Sequence, residues 1–165
     1  MTDRPGSTAV HSTELGNPWT FAQRGLLAIC VLHVVQAIAG FIVEPSFAIG
    51  PDAPTEPLLG MDYNGWHAVA GLALFAPGLY FATRNSWAVA YLLLAAVAGM
   101  APGVWAFFSH NVAWIFHFPN NRTDGVVHLV TGAVMIAVAA VQVRRDGGLK
   151  ESLADLRGRP AGRTG

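Results

Sequence analysis

Two short motifs hold the residues of this chain best suited to chemistry. They are Asn64–x–x–His67 and Asn121–x–x–Asp124–x–x–x–His128. Side chains three or four apart share one face of a helix, so Asn64 pairs with His67, and Asp124 with His128. Imidazole and carboxylate are ligands for zinc and similar divalent ions. They also carry protons and bind small polar molecules in membranes. Three readings stand side by side. In the first, Asn64 and Asp124 cap helix starts and the histidines hydrogen-bond across the molecule. In the second, His67, Asp124 and His128, helped by His110 or His117, hold a metal. In the third, the cluster binds a small polar ligand or relays protons.

A second polar pair, His33 and Gln36, sits inside a long apolar run. At mid-depth in a membrane an unpaired polar side chain is costly, so both should face inward. A haem would need a second histidine at the depth of His33, and the run that would supply it has none. The expectation is a neutral His33 bonded to Gln36 or to a neighbouring helix. The lone cysteine, Cys30, reads as a small buried hydrophobe. There is no nucleotide loop, serine elbow or paired carboxylate, so catalysis is not predicted. No cofactor is predicted beyond the metal and haem readings above.

The elements that must position these residues follow from where the charges fall. No Asp, Glu, Lys or Arg occurs in Gly25–Val43, Tyr63–Thr83, Asn85–Asn121 or Gly125–Val143. A helix needs about 20 apolar residues to cross a bilayer. These gaps predict an all-α, integral membrane four-helix bundle, with helices at about 22–43, 64–83, 86–108 and 124–143. Only 12% of residues are charged and 53% are hydrophobic, too little charge to clothe a water-soluble domain. The net charge of +0 argues against nucleic acid as a partner.

Basic residues set the expected orientation. The segment Glu44–Asp62 has four acids and no Lys or Arg, whereas Arg144, Arg145, Lys150, Arg157, Arg159 and Arg163 follow the last run. Both termini are therefore expected in the cytoplasm of a bacterium, the bacterial origin being read from the Arg, Ala, Gly and Val bias. The first helix reads as a retained anchor rather than a cleaved signal. Trp19, Trp66, Trp87, Trp105 and Trp114 all fall near predicted boundaries, where indole is favoured.

Residues 1–18 read as a disordered tail, 19–145 as the membrane domain and 146–165 as a basic tail. Pro45, Pro51, Pro54 and Pro57 predict an extended first outer loop. The second, Ser109–Asn121, is aromatic and uncharged, and a short interfacial helix or re-entrant lip is expected. Leu149, Leu153 and Leu156 would share a helical face in the tail, unless the tail is simply solvated. Pro77, Gly78, Gly99, Pro102 and Gly103 should loosen their helices.

The segments NGWHAVAG (Asn64–Gly71) and DGVVHLVTG (Asp124–Gly132) are alike, with a His four residues before a Gly in each. The chain thus reads as two parallel-repeat helical hairpins. Small residues let helices approach closely, so Gly71 and Gly132 are expected to pack the second helix against the fourth. The stretches LLGMDYNGWHAVAGLAL, YLLLAAVAGM and NNRTDGVVHLVTGAV resemble the four-helix membrane family called domain of unknown function four-three-eight-three, common in actinobacteria. The likeness spans about residues 24–143. Members often carry a second His or Asn near the first motif, where this chain has Trp66 and Ala68. The family has no established activity, so the resemblance implies architecture alone.

The functional expectation is a non-enzymatic structural or accessory component of the plasma membrane. Its partners would be the lipid bilayer and another membrane protein or a second copy. The alternative is a small-ligand, proton or metal-binding membrane protein, with its His/Asp cluster near the outer face.

Overall fold

The computed structural model describes residues 18–50, 52–109, 111–112 and 116–157. The expected disorder at 1–18 falls almost wholly outside that range, as do His110, Trp114 and the last eight residues. Helix α1 covers Phe21–Val43, α2 Gly65–Phe81, α3 Asn85–Trp105, α4 Arg122–Arg145 and α5 Leu149–Ser152. Three of these, α1, α3 and α4, are long and apolar enough to cross a membrane. Helix α2 has 17 residues, a rise of about 25 Å, and runs through Pro77.

Several of the helix ends have a local cause. Thr20 starts α1 with a capping box: its side chain accepts from Gln23 N, and Gln23 reaches back to Thr20 N. Asn64 and Asn121 accept from the third helical N–H of α2 and α4. Helix α1 stops before Glu44–Pro45, since the residue ahead of a proline avoids helical geometry. Helix α4 ends on Gly147 at φ +86°. Gly147 N donates to Arg144 O, and Gly148 N to Val143 O, a Schellman ending.

The fold is mostly helical rather than all-α. Strands β1 (Glu56–Leu58) and β2 (Met61–Tyr63) form an antiparallel hairpin between α1 and α2. Its two-residue turn, Leu59–Gly60, has both φ angles positive, +54° and +82°, as a type I′ turn needs. Strands β3 (Asn111–Val112) and β4 (Phe116–Pro119) pair between α3 and α4. Strand pairing stands where a short helix was one expectation: Phe116 pairs with Val112 and Pro119 with Asn111. The chain order is therefore helix, hairpin, helix, twice over. In the tail, α5 gives way to a 3-10 turn at Ala154–Arg157. The three leucines do not share a face: Leu153 packs on the core, while Leu149 and Leu156 are exposed.

Helix α1 packs chiefly on α2, and α3 on α4. The core between them holds Leu26, Cys30, Phe75, Val89, Leu92 and Met135. Large apolar side chains also face outward: Ile42 is 76% exposed and Val97 70%. Such surfaces suit lipid and would be a liability in water. Gly71 and Gly132 serve these packings and not the α2–α4 contact expected of them. A Cβ on Gly71 would press on Ala37 of α1, and one on Gly132 on Met100 of α3.

At the end of the molecule where α1 and α3 begin, Asp146 gathers three donors. Asn85 and Ser152 donate to its Oδ2 at 2.9 and 2.6 Å, and Gln142 to its Oδ1 at 2.7 Å. Thr20 donates in turn to Asn85 Oδ1. One carboxylate thus ties the starts of α1 and α3 to the end of α4.

Candidate site: a His–Asp–His cluster above a cavity

The starts of α2 and α4 meet at the opposite end. His67 N donates to Asn64 Oδ1 at 3.0 Å and Asp124 N to Asn121 Oδ1 at 2.9 Å. Asn64 and Asn121 are therefore the caps. Asp124 was expected to cap, but it lies three residues inside the helix, so its carboxylate is free to turn inward. His67 and Asp124 hold the same position after their caps, and they face one another. His67 Nε2 is 3.6 Å from Asp124 Oδ1. One turn further along α4, His128 Nε2 is 3.5 Å from the same oxygen.

Residues not assigned to the cluster from sequence hold these three in place. His67 Nδ1 is 2.9 Å from Asp62 O. A carbonyl only accepts, so Nδ1 carries the proton and Nε2 keeps its lone pair. His128 Nδ1 faces Gly99 of α3, where it would lie 3.8 Å from a Cβ. Its Nε2 is turned toward Asp124. The Asn120 amide, oriented so that both ends are satisfied, donates to Asp124 Oδ2 at 2.8 Å and accepts from Ala106 N at 3.2 Å. Asp124 Oδ1 itself is buried without a hydrogen-bond partner, in a residue only 4% exposed. Tyr63 stacks on His67 with ring centroids 4.2 Å apart. Burial, with the Asp124 carboxylate adding to it, pushes the Tyr63 phenol up to about 12, and Gln36 hydrogen-bonds it. The signal for Asn120 was its place beside the cap Asn121; Tyr63 and Gly99 carried none.

The cluster therefore presents three potential ligand atoms, all within 4.8 Å of one another. Two ligands each about 2.0–2.1 Å from a tetrahedral zinc lie roughly 3.3–3.4 Å apart. The two Asp124 distances approach that value and are too long for direct hydrogen bonds.

Below the cluster lies a cavity of about 530 Å³, walled by Phe75, Ala95 and Met135 among others. It occupies space between α2 and α4, which scarcely touch. His33 lines it, with Nδ1 donating to Ile29 O at 2.8 Å and Nε2 beside Thr131 Oγ1 at 3.3 Å. Its ring stacks on Phe75 at 4.1 Å. Both His33 nitrogens are thus engaged by the protein, and its partner on a neighbouring helix is Thr131 instead of Gln36. Gln36 turns to Tyr63 and, at 3.5 Å, to Met61 Sδ. His117 falls in β4.

These features define a mostly helical protein of membrane-like apolar character, with an inward-facing two-histidine, one-carboxylate cluster at one end. The chain matches the family described as Domain of unknown function (DUF4383) over residues 23–141 and belongs to it. Comparison with curated proteins and with solved structures gave no match.

Proposed function

We propose that this chain is a multi-pass plasma-membrane protein that holds a divalent cation, zinc foremost, at His67, Asp124 and His128. One observation carries the reading: His67 Nε2 and His128 Nε2 converge on Asp124 Oδ1, which is buried with no hydrogen-bond partner. With both imidazoles neutral, the three atoms repel one another unless a cation stands between them. The groups behind the ligands support a metal over a shared proton. His67 is held from behind by the Asp62 carbonyl, and Asp124 Oδ2 by Asn120; metal ligands are oriented in this manner. Three protein ligands leave a fourth position open. The role is binding in support of another membrane component, not turnover.

Metal analysis of protein purified in mild detergent tests this. The expected result is one zinc per chain, a higher melting temperature with added zinc, and loss of both in Asp124→Asn and His67→Gln. Acidification should release the metal, because protonated imidazole cannot ligate. Protein free of metal and indifferent to added zinc would end the proposal.

In the topology proposed with it, all four long helices cross the bilayer, both termini are cytoplasmic and the cluster lies near the outer face. The acidic first loop and the basic tail support this. Thr55 and Arg84 are exposed, whereas the native Cys30 is buried. Cysteine at Thr55→Cys should react with an impermeant maleimide on intact cells, and at Arg84→Cys only after lysis. The reverse pattern would invert the topology.

A further inference from the structure

We infer that the cavity beneath the cluster takes the chain of a single-chain carboxylate amphiphile, a long-chain fatty acid, with its head group at the cation. This rests on the metal reading above and adds the ligand. Charge comes first. Two neutral imidazoles and one carboxylate leave a divalent ion with a net positive charge and one open position, which an anionic oxygen satisfies. Without the cation, the buried and unpartnered Asp124 Oδ1 repels that same head group, so binding depends on the metal.

Shape comes second. The cavity volume of about 530 Å³ is in the range of small-molecule sites. Below the cluster its polar liners His33 and Thr131 bond to each other, and its walls, with Leu74, Phe75, Ala95 and Met135, are mainly apolar. From Asp124 to Met135 it runs about 16 Å along α4. The head-group end lies at the helix starts and the apolar end near mid-helix, the orientation a fatty acid adopts in a leaflet.

Access comes third. Ala70 and Ala73 of α2 and Ala98 of α3 line the cavity and are exposed at the protein surface. These small side chains leave an opening on the flank of the helices, one to two turns below His67. On that flank the ligand enters from lipid rather than from water.

Native mass spectrometry of the full chain, released from non-ionic detergent with zinc and palmitate, tests the inference. The expected species carries one zinc and one palmitate. Stripping zinc with a chelator should lower the palmitate adduct about tenfold or more. Ala73→Trp should keep zinc and lose palmitate; Ala98→Phe serves the same purpose should the first variant fail to fold, with retained zinc as the sign of folding. Palmitate binding unaffected by zinc removal, or by a zinc-retaining plug, would overturn the inference. So would acetate competing as well as palmitate, which would make the site one for soluble carboxylates. A zinc adduct that never takes palmitate would overturn this inference alone. A chain that takes no zinc would overturn the metal reading and this one together.

Discussion

Asp124 shows how one position within a first helical turn changes what a carboxylate does. As a cap it would be consumed by backbone N–H groups. Three residues in, with Asn121 doing the capping, it turns inward between two imidazoles. Gly103 of α3 keeps that geometry possible. A Cβ there would come within 2.6 Å of His128 Cβ and 3.2 Å of Gly125 O. Gly103→Ala must therefore push α3 and α4 apart, and overpacking of this kind costs about 1–3 kcal/mol. Thermal unfolding should register that loss, and zinc affinity should weaken with it because His128 is displaced. A variant with unchanged melting temperature and zinc affinity would mean that the two helices pack more loosely than the structure has them.

At the scale of elements, each hairpin delivers a helix start to the site. Strand β2 supplies the Asp62 carbonyl and the Tyr63 ring and then runs directly into the Asn64 cap. The Asn121 amide also donates to Gly60 O at 3.1 Å, so the β1–β2 turn is tied to the start of α4. That turn carries a local fault. Leu59 sits at φ +54° and is 79% exposed, although branched apolar residues avoid this conformation. Asn–Gly is the preferred pair for such a turn. Leu59→Asn should raise stability by about 0.5–1 kcal/mol, read as a higher melting temperature with unaltered zinc stoichiometry. A drop in melting temperature would show that Leu59 makes a contact the turn geometry does not reveal.

Across the whole molecule, the two ends do different work. The Asp146 end is a structural clasp with its hydrogen bonds made, and the Asp124 end leaves a buried oxygen unmade. Asp146→Asn keeps the shape of the side chain but turns an acceptor facing donors into a donor. Hydrogen bonds to a charged group contribute about 1.5–3 kcal/mol, so the variant should lose about 2 kcal/mol and still bind one zinc. Loss of zinc without loss of stability would mean that the two ends are coupled in a way the packing does not suggest.

The segregation of charge was enough to place the helices. Lipid-length runs free of Asp, Glu, Lys and Arg have few other ways to satisfy their backbone, and the helices follow the charge gaps closely, except that α3 stops at Trp105, well short of the end of its gap at Asn121. Helical spacing alone put Asp124 and His128 on one face. The strands were illegible, because four prolines in one loop and aromatic residues in the other suit several extended or interfacial forms, and hairpin pairing depends on chain returning across a turn. The glycine partners were likewise hidden: a small residue announces a close approach but not which helix approaches. Only the tertiary structure brought His67 to Asp124, since their meeting depends on two caps, one on each hairpin, aligning at the same end of the molecule. Only there did the cavity arise, because it is the space left when each hairpin packs within itself and α2 and α4 stay apart.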